Sequence, residues 1–128
     1  MNKVWLKNYP PGVPAEINPN EYPSLTALID SGCRRFAQLD AFTSLRRTIS
    51  YAESESRARD FAAWLQQTAK LQRGERIAIM LPNVLQYPIA LLGALRAGLT
   101  IVNTNPLYTA RELEHQLTDS GAKAILIL

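Results

Sequence analysis

Residues 76–103 read RIAIMLPNVLQYPIALLGALRAGLTIVN, and this pattern predicts a strand, a helix and a second strand. The run Ile77–Leu81 is continuously apolar, as expected of a strand that is covered on both faces. A mostly apolar helix is predicted over Leu85–Ala97, and Gly98 suits the left-handed cap at its C-terminus. The following run, Leu99–Asn103, is the second predicted strand.

Another helix and a third strand follow. Thr109 and Glu112 have the spacing of a capping box at a helix start, and Gly121 closes that helix. Ala124–Leu128 is predicted to be a strand buried on both faces. The order predicts an α/β fold with a βαβαβ parallel-sheet unit and right-handed crossovers. Because an uncovered apolar strand is costly, we expect the sequence to be truncated.

The N-terminal part differs in composition. Residues 1–23 hold five of the eight prolines, which predicts an extended arm. We expect this arm to dock on the surface through Trp5, Leu6, Tyr9 and Ile17. A first helix is predicted to begin with Ser24 as its N-cap and to bury one apolar stripe. The stripe comprises Leu25, Leu28, Ile29, Gly32 and Phe36.

Residues 41–43 and 48–50 are predicted to form two short strands of a hairpin. Its turn lacks the Gly or Asn that accepts a positive φ, so this part of the pattern is weak. Ser50 and Glu53 have capping-box spacing and begin a helix that runs to about Ala69. Its buried face is predicted to hold Ala58, Phe61, Ala62 and Leu65.

Composition excludes several classes of protein. The chain of 128 residues has the size of one domain or part of one, and its net charge of +3 is modest. Its basic residues are scattered over separate segments, which does not favour a nucleic-acid partner. Cys33 is the only cysteine, so neither a disulfide nor a zinc framework is predicted, and a buried thiol in a reducing cytoplasm fits best. Any membrane contact is expected to be peripheral.

Few residues suggest a catalytic, metal-binding or ligand-binding role. The six glycines form neither a dinucleotide-binding fingerprint nor a phosphate-binding loop. His115 is the only histidine and is expected on an exposed helix face, where metal ligation is disfavoured. The polar turn 103–106 (Asn-Thr-Asn-Pro) follows a strand end, where open parallel sheets bind ligands. A structural turn is favoured over a binding role there, and an ordinary surface role is favoured for Arg111.

The opening KVWLKNYPPGVPAEINPNEYPSL resembles that of bacterial long-chain-fatty-acid–CoA ligases. The stretch ERIAIMLPNVLQYPIALLGALRAGLTIVNTNPLYTARELEHQLTDSGAKAILIL resembles the next part of the same enzymes, which belong to the adenylate-forming superfamily. Residues 1–23 are the arm predicted from their prolines. The resemblance implies that 24–128 is the first part of a large N-terminal domain, truncated before the ATP phosphate-binding loop.

The resemblance implies a two-step reaction of the parent enzyme. A fatty-acid carboxylate attacks the α-phosphate of Mg-ATP, and coenzyme A then displaces AMP from the acyl-adenylate. The cofactors implied for the parent are ATP, Mg²⁺ and coenzyme A. None is expected to bind residues 1–128 tightly, because the family's phosphate-binding and acidic motifs do not occur there. We therefore predict no catalytic, cofactor-binding or metal-binding residue in this chain, and no activity of the chain alone.

The implied partner is a long-chain fatty acid, and a homodimer and peripheral contact at the inner face of the membrane are compatible with the resemblance. Ser54 departs from the family pattern, which usually has an apolar residue there.

Two other classes of protein remain open as alternatives. One is a stand-alone α/β binding or regulatory module, which would require clustered acidic residues at its strand ends. A peripheral lipid-binding piece would use Trp5, Tyr9 and scattered arginines, and its vesicle binding would weaken with salt.

Overall fold

A computed structural model describes residues 3–128, so residues 1 and 2 of the predicted arm lie outside the described part. In chain order the elements are a 3₁₀ helix (Val4–Asn8), α1 (Leu25–Arg35), β1 (Asp40–Ser44), β2 (Arg47–Ser50), α2 (Tyr51–Gln67), β3 (Arg76–Met80), α3 (Gln86–Arg96), β4 (Thr100–Asn103), α4 (Ala110–Ser120) and β5 (Ala124–Ile127). Among residues 3–128, no helix combines the length and apolar character needed to cross a membrane.

The three later strands form a parallel sheet in the order β4-β3-β5. Ile77 of the central strand is opposite Ile101 on one side and Ala124 on the other. The middle of the central strand is covered on both faces, since Ile77, Ala78 and Ile79 are buried. The predicted βαβαβ parallel-sheet unit is therefore confirmed.

The helix boundaries follow local capping chemistry. Ser24 Oγ accepts a hydrogen bond from the Ala27 amide at 3.1 Å, which satisfies a free donor at the start of α1. At α4, the Thr109 and Glu112 side chains form the reciprocal box that the sequence predicts. Gly98 and Gly121 have φ values of +81° and +62°, so both predicted left-handed caps are confirmed.

At the start of α2, only one of the two hydrogen bonds of the predicted capping box forms. Ser50 Oγ accepts from the Glu53 amide at 3.1 Å. The Glu53 carboxylate does not return to the Ser50 amide, because it pairs with Arg57 Nη2 at 2.6 Å. The predicted reciprocal capping box is thus half formed. Ser54 is buried, and its hydroxyl donates to the Ser50 carbonyl at 2.8 Å.

The predicted hairpin is confirmed without a glycine or asparagine in its turn. Strands β1 and β2 pair antiparallel, and Leu45 and Arg46 connect them. Their φ values are +48° and +63°, the left-handed region that two-residue hairpin turns require. Thr43 Oγ1 and Thr48 Oγ1 lie 2.7 Å apart across the strands and share a hydrogen bond.

The core lies between the sheet and the packed pair α2 and α3. It contains Ala62, Leu65, Ile77, Ala94, Ala97 and Leu99. Helices α2 and α3 approach closely because Gly93 has no side chain: a Cβ there would lie 2.8 Å from the Ala58 carbonyl oxygen. Leu65 of α2 is fully buried in this core. Burial of a side chain of that size contributes about 1.5–3 kcal/mol to the free energy of folding, so the packing of α2 against the sheet and α3 is important for stability.

Two burial predictions are wrong. In α1 the buried residue is Cys33, whereas Leu25 is 55% exposed and Leu28 and Phe36 are also exposed. Strand β5 alternates between half-buried and exposed residues, and Ile127 is 60% exposed where burial on both faces was predicted. The physical reason is shared: periodicity marks an apolar face but does not supply the element that covers it.

The N-terminal arm also differs from expectation. Val4–Asn8 is a 3₁₀ helix, so this part of the arm is not extended. Ile17 is 89% exposed, and its predicted docking on the surface of this chain is wrong. Lys3 pairs with Glu16, which holds the two ends of this segment together.

Candidate functional site

The carboxyl edge of the parallel sheet brings two polar turns together. Residues 82 and 83 follow β3, and the turn 103–106 follows β4, its neighbour in the sheet. Ile79 and Asn103 are register partners, so the second turn begins level with the end of the central strand. Crevices at this edge are where open parallel sheets bind ligands, which makes the edge the candidate site.

Asn103 connects three elements at this edge. Its Oδ1 accepts a hydrogen bond from the Tyr87 hydroxyl of α3 at 2.8 Å. Its backbone carbonyl accepts from Gln116 Nε2 of α4 at 3.1 Å. Both helices are therefore tied to the end of β4. The sequence predicted bonds from this side chain to nearby backbone, and the observed partner is a side chain from another element.

The rest of the polar turn is hydrogen-bonded within the protein. The Thr104 amide donates to the Ile79 carbonyl at 3.0 Å, and its hydroxyl donates to the Val102 carbonyl at 3.2 Å. Asn105 Oδ1 accepts from the Leu107 amide at 3.0 Å, which closes a side-chain turn. The Thr104 hydroxyl and Asn105 Oδ1 thus bond to nearby backbone and help to fix the conformation of the sheet edge.

A groove opens between the hairpin and the first turn of α3. Its volume is about 350 Å³, and its walls include Phe42, Ser44, Val84, Tyr87 and Leu91. Ser44 Oγ donates to the Asn83 carbonyl at 2.9 Å, which fixes the hairpin against the turn after β3. The walls are mainly apolar and hold no acid–base pair or nucleophile. This geometry can orient an apolar group but cannot activate one.

One titratable group near the edge, Glu112, is engaged in capping α4. Hydrogen bonds from the Thr109 backbone amide, and then from its side chain, lower the pKa of Glu112. His115 and Arg111 are exposed on α4, as the sequence predicts. Among residues 3–128, no group of three or more His, Cys, Asp or Glu side chains could hold a metal ion.

Cys33 is a buried thiol, as predicted, with only 4% of its surface exposed. Burial raises its pKa, and the negative charges of Glu55 and Asp30 raise it further. The thiol is therefore protonated at neutral pH, which is unsuited to nucleophilic chemistry.

One charged cluster was missed by the sequence analysis. Arg96 pairs with Asp30 of α1 and lies 3.6 Å from the Glu55 carboxylate of α2. Arg59 pairs with the same Glu55 oxygen at 2.7 Å. The available signal was Arg96, the one charged residue of the mostly apolar helix α3, at its C-terminal end. A partly buried arginine is expected to find a partner. The cluster joins three helices and has no feature of a catalytic site.

Comparison with known proteins identifies the family. A family model described as "AMP-binding enzyme" matches residues 16–127. The long-chain-fatty-acid–CoA ligases of Yersinia pestis and Haemophilus influenzae are 56% and 48% identical over all 128 residues. The chain spans 23% of the length of each of these relatives.

Solved structures agree with this match. A benzoate CoA ligase from Burkholderia xenovorans LB400 superposes with a TM-score of 0.73 at 33% identity, covering 78% of this chain and 20% of that one. VinN, solved with 3-methylaspartate, gives a TM-score of 0.78 at 28% identity, covering 83% and 30%. The N-terminal subdomain of Klebsiella oxytoca NpsA gives 0.76 at 24% identity, covering 80% and 27%, and shows the fold alone. The fold expected from the resemblance is confirmed, and the chain belongs to the AMP-binding enzyme family.

Proposed function

We propose that this chain is the scaffold-forming first part of a long-chain-fatty-acid–CoA ligase. The observation that carries the proposal is its 56% identity, along its whole length, to the Yersinia pestis protein of that name. A 4-coumarate-CoA ligase from Narcissus pseudonarcissus is 32% identical over only 88 residues. The difference in identity and coverage favours the fatty-acid branch over the aryl branch.

The proposed reaction of the whole enzyme has two steps. The carboxylate of a long-chain fatty acid attacks the α-phosphate of Mg-ATP, which forms an acyl-adenylate and releases pyrophosphate. The thiol of coenzyme A then attacks the acyl carbon, giving the thioester and AMP. Charge develops on the phosphates in the first step, so cationic donors and a metal ion are needed around them.

We assign none of these steps to residues 1–128. The polar groups at the sheet edge are bonded to one another, as Tyr87 and Asn103 are, and the groove beside them is apolar. Their role in the proposal is to hold the sheet edge in a fixed shape. Residues 1–23 act as an arm and 24–128 as the first part of the large domain. ATP, Mg²⁺ and coenzyme A are not expected to bind this part tightly.

The cellular setting is also part of the proposal. We place the protein in the cytoplasm, with peripheral contact at the inner face of the membrane. The exposed Trp5 and Tyr9 of the arm support this placement. Fluorescence of the tryptophans should change when anionic vesicles are added at low salt and recover at high salt. An unchanged spectrum at low salt would contradict the membrane contact.

A homodimer is proposed for the whole enzyme, and sedimentation of that enzyme tests it.

A chimeric enzyme tests the main proposal. The aligned first part of the Yersinia pestis relative is replaced by this chain, and pyrophosphate release is measured with palmitate, ATP, Mg²⁺ and coenzyme A. We expect activity within about tenfold of the unmodified relative and none from residues 1–128 alone. The matched control carries the corresponding segment of the benzoate CoA ligase. A folded chimera without activity, while the control is active, would overturn the proposal.

A further inference from the structure

Four cations from separate parts of the sequence lie along the amino edge of the parallel sheet. Lys70 and Arg73 are in the turn before β3, Arg76 begins β3, and Lys123 immediately precedes β5. The Lys123 amide donates to the Arg76 carbonyl at 2.8 Å, so the starts of these two strands are adjacent. We call the four side chains the basic edge.

The turn before β3 is held against the rest of the sheet. The Gly74 amide donates to the Gly98 carbonyl at 2.9 Å. The Thr100 amide, at the start of β4, donates to the Glu75 carbonyl at 2.8 Å. These bonds fix the backbone that follows Arg73, so the basic edge has a defined shape.

The positive charge of the basic edge is not neutralised by ion pairs. All four side chains are exposed. Within the described part of the chain, residues 3–128, no carboxylate lies at ion-pair distance from any of them. The segments 70–76 and 119–123 also contain two carboxylates, Glu75 and Asp119. Four cations and two carboxylates leave a net charge of +2, so these segments hold most of the net charge of +3 of the whole chain.

An exposed aromatic side chain lies one turn before the basic edge. Trp64 is half exposed and begins the last turn of α2. Its carbonyl accepts from the amide of Ala69, the residue before Lys70. Its ring stacks on that of Phe61 at 6.0 Å with 10° between the planes, which holds it in place. Tryptophan favours the headgroup level of a bilayer because its ring is apolar and its N–H is polar.

We propose that the basic edge, with Trp64 beside it, binds the surface of a bilayer that contains anionic phospholipids. Each lysine or arginine near such a surface strengthens binding by about fivefold. Segments 70–76 and 119–123 contain no aromatic residue on which successive nucleic-acid bases could stack, so a bilayer is the better fit. The inference rests on the membrane contact in the proposed function and assigns it to a surface outside the arm.

Cosedimentation with vesicles tests the proposal. At low salt the 128-residue chain should bind vesicles of phosphatidylcholine with about 30% phosphatidylserine, and should bind pure phosphatidylcholine vesicles at least tenfold more weakly. Binding to the anionic vesicles should fall at least tenfold between about 20 mM and about 500 mM salt, because ions screen the attraction. Absence of binding at low salt would overturn both this inference and the proposed membrane contact.

Two pairs of substitutions locate the contact. Lys70→Gln with Lys123→Gln removes two charges from the basic edge and should weaken binding at least tenfold. Arg46→Gln with Arg111→Gln makes the same change in net charge elsewhere and should weaken binding less than threefold. Undiminished binding by the lysine variant would overturn the basic edge and leave the proposed membrane contact standing. Equal weakening by both pairs would show a nonspecific effect of charge and would also overturn it.

The fold of each variant is checked by circular dichroism. Lys70 and Lys123 follow the ends of α2 and α4, where a cation also stabilises the helix. If the double variant does not fold, each single lysine variant should still weaken binding by about fivefold.

Fluorescence of Trp64 gives an independent readout. Trp5→Phe leaves Trp64 as the only tryptophan, so its emission reports on this part of the surface. Anionic vesicles should shift that emission to shorter wavelength, and high salt should reverse the shift. Vesicle binding without a change in emission would overturn the placement of Trp64 at the bilayer. Tighter binding to single-stranded RNA than to vesicles, both at about 150 mM salt, would overturn the bilayer as the partner.

Discussion

The hydroxyl of Tyr87 donates a hydrogen bond to Oδ1 of Asn103 at 2.8 Å, which joins the first turn of α3 to the end of β4. Because Asn103 also accepts from Gln116, this one residue anchors both helices that flank the candidate site. The relationship connects the packing of the sheet to the shape of its carboxyl edge.

Tyr87→Phe removes that hydroxyl and keeps the ring. We expect the free energy of unfolding to fall by about 0.5–1.5 kcal/mol, the usual net value of one hydrogen bond. Urea denaturation followed by circular dichroism measures it. Tyr108→Phe is the matched control, and equal stabilities of the two variants would show that the bond contributes nothing.

Gly93→Ala should destabilise the α2–α3 contact. The added Cβ would lie 2.8 Å from the Ala58 carbonyl oxygen and 2.9 Å from a Phe61 ring carbon, so the helices must move apart. A loss of about 1–3 kcal/mol is expected from such overpacking. Gly32→Ala is the control, because its Cβ meets open space and helix propensity favours alanine by about 0.5–1 kcal/mol. Thermal melts that rank the two variants in the reverse order would contradict the close approach.

Replacing Leu45-Arg46 with Asn-Gly should stabilise the hairpin. Both native residues have positive φ, which costs on the order of 1 kcal/mol or more for each ordinary side chain. Asn-Gly suits this turn, so the midpoint of thermal unfolding should rise. The exposed Leu107→Asn change, placed in another loop, controls for surface polarity. A fall in the midpoint would mean that the turn has a different backbone conformation.

Glu112 gives a pH dependence with a defined sign. Its pKa in the folded protein is lowered, first by the Thr109 amide and then by the Thr109 hydroxyl. The stabilisation is therefore present above the unfolded-state pKa and is lost as the pH falls through the folded-state pKa. A carboxyl NMR titration should place Glu112 below its usual range. Thr109→Ala should move it back only partly, because the backbone amide remains. A complete return would show that the hydroxyl is the main cause.

Local chemistry accounts for the features that the sequence predicted well. Ser24, Thr109, Gly98 and Gly121 mark helix ends because their effects act within a few residues of backbone. The central strand was also predictable, since a short continuous apolar run is typical of a strand that is covered on both faces. At the candidate site, Asn105 makes the hydrogen bond to nearby backbone that the sequence predicted for the polar turn 103–106.

Contacts between distant residues account for the features that the sequence did not predict. The exposure of Leu25 depends on how α1 packs against α2, and no periodicity encodes that choice. The Tyr87–Asn103 bond and the Arg96–Asp30 pair join residues from different elements. The return bond from Glu53 was lost to Arg57, a competing partner one turn further along α2.

The strand order has a consequence for synthesis on the ribosome. Strand β3 lies between β4 and β5, both of which leave the ribosome after it. At about 5–20 residues per second, the roughly 50 residues from β3 to the end of β5 take about 2–10 s to make. During that interval the run Ile77–Ile79 lacks at least one of its two neighbours. The nascent chain therefore presents this apolar segment to chaperones, or to other nascent chains, before the sheet can close over it.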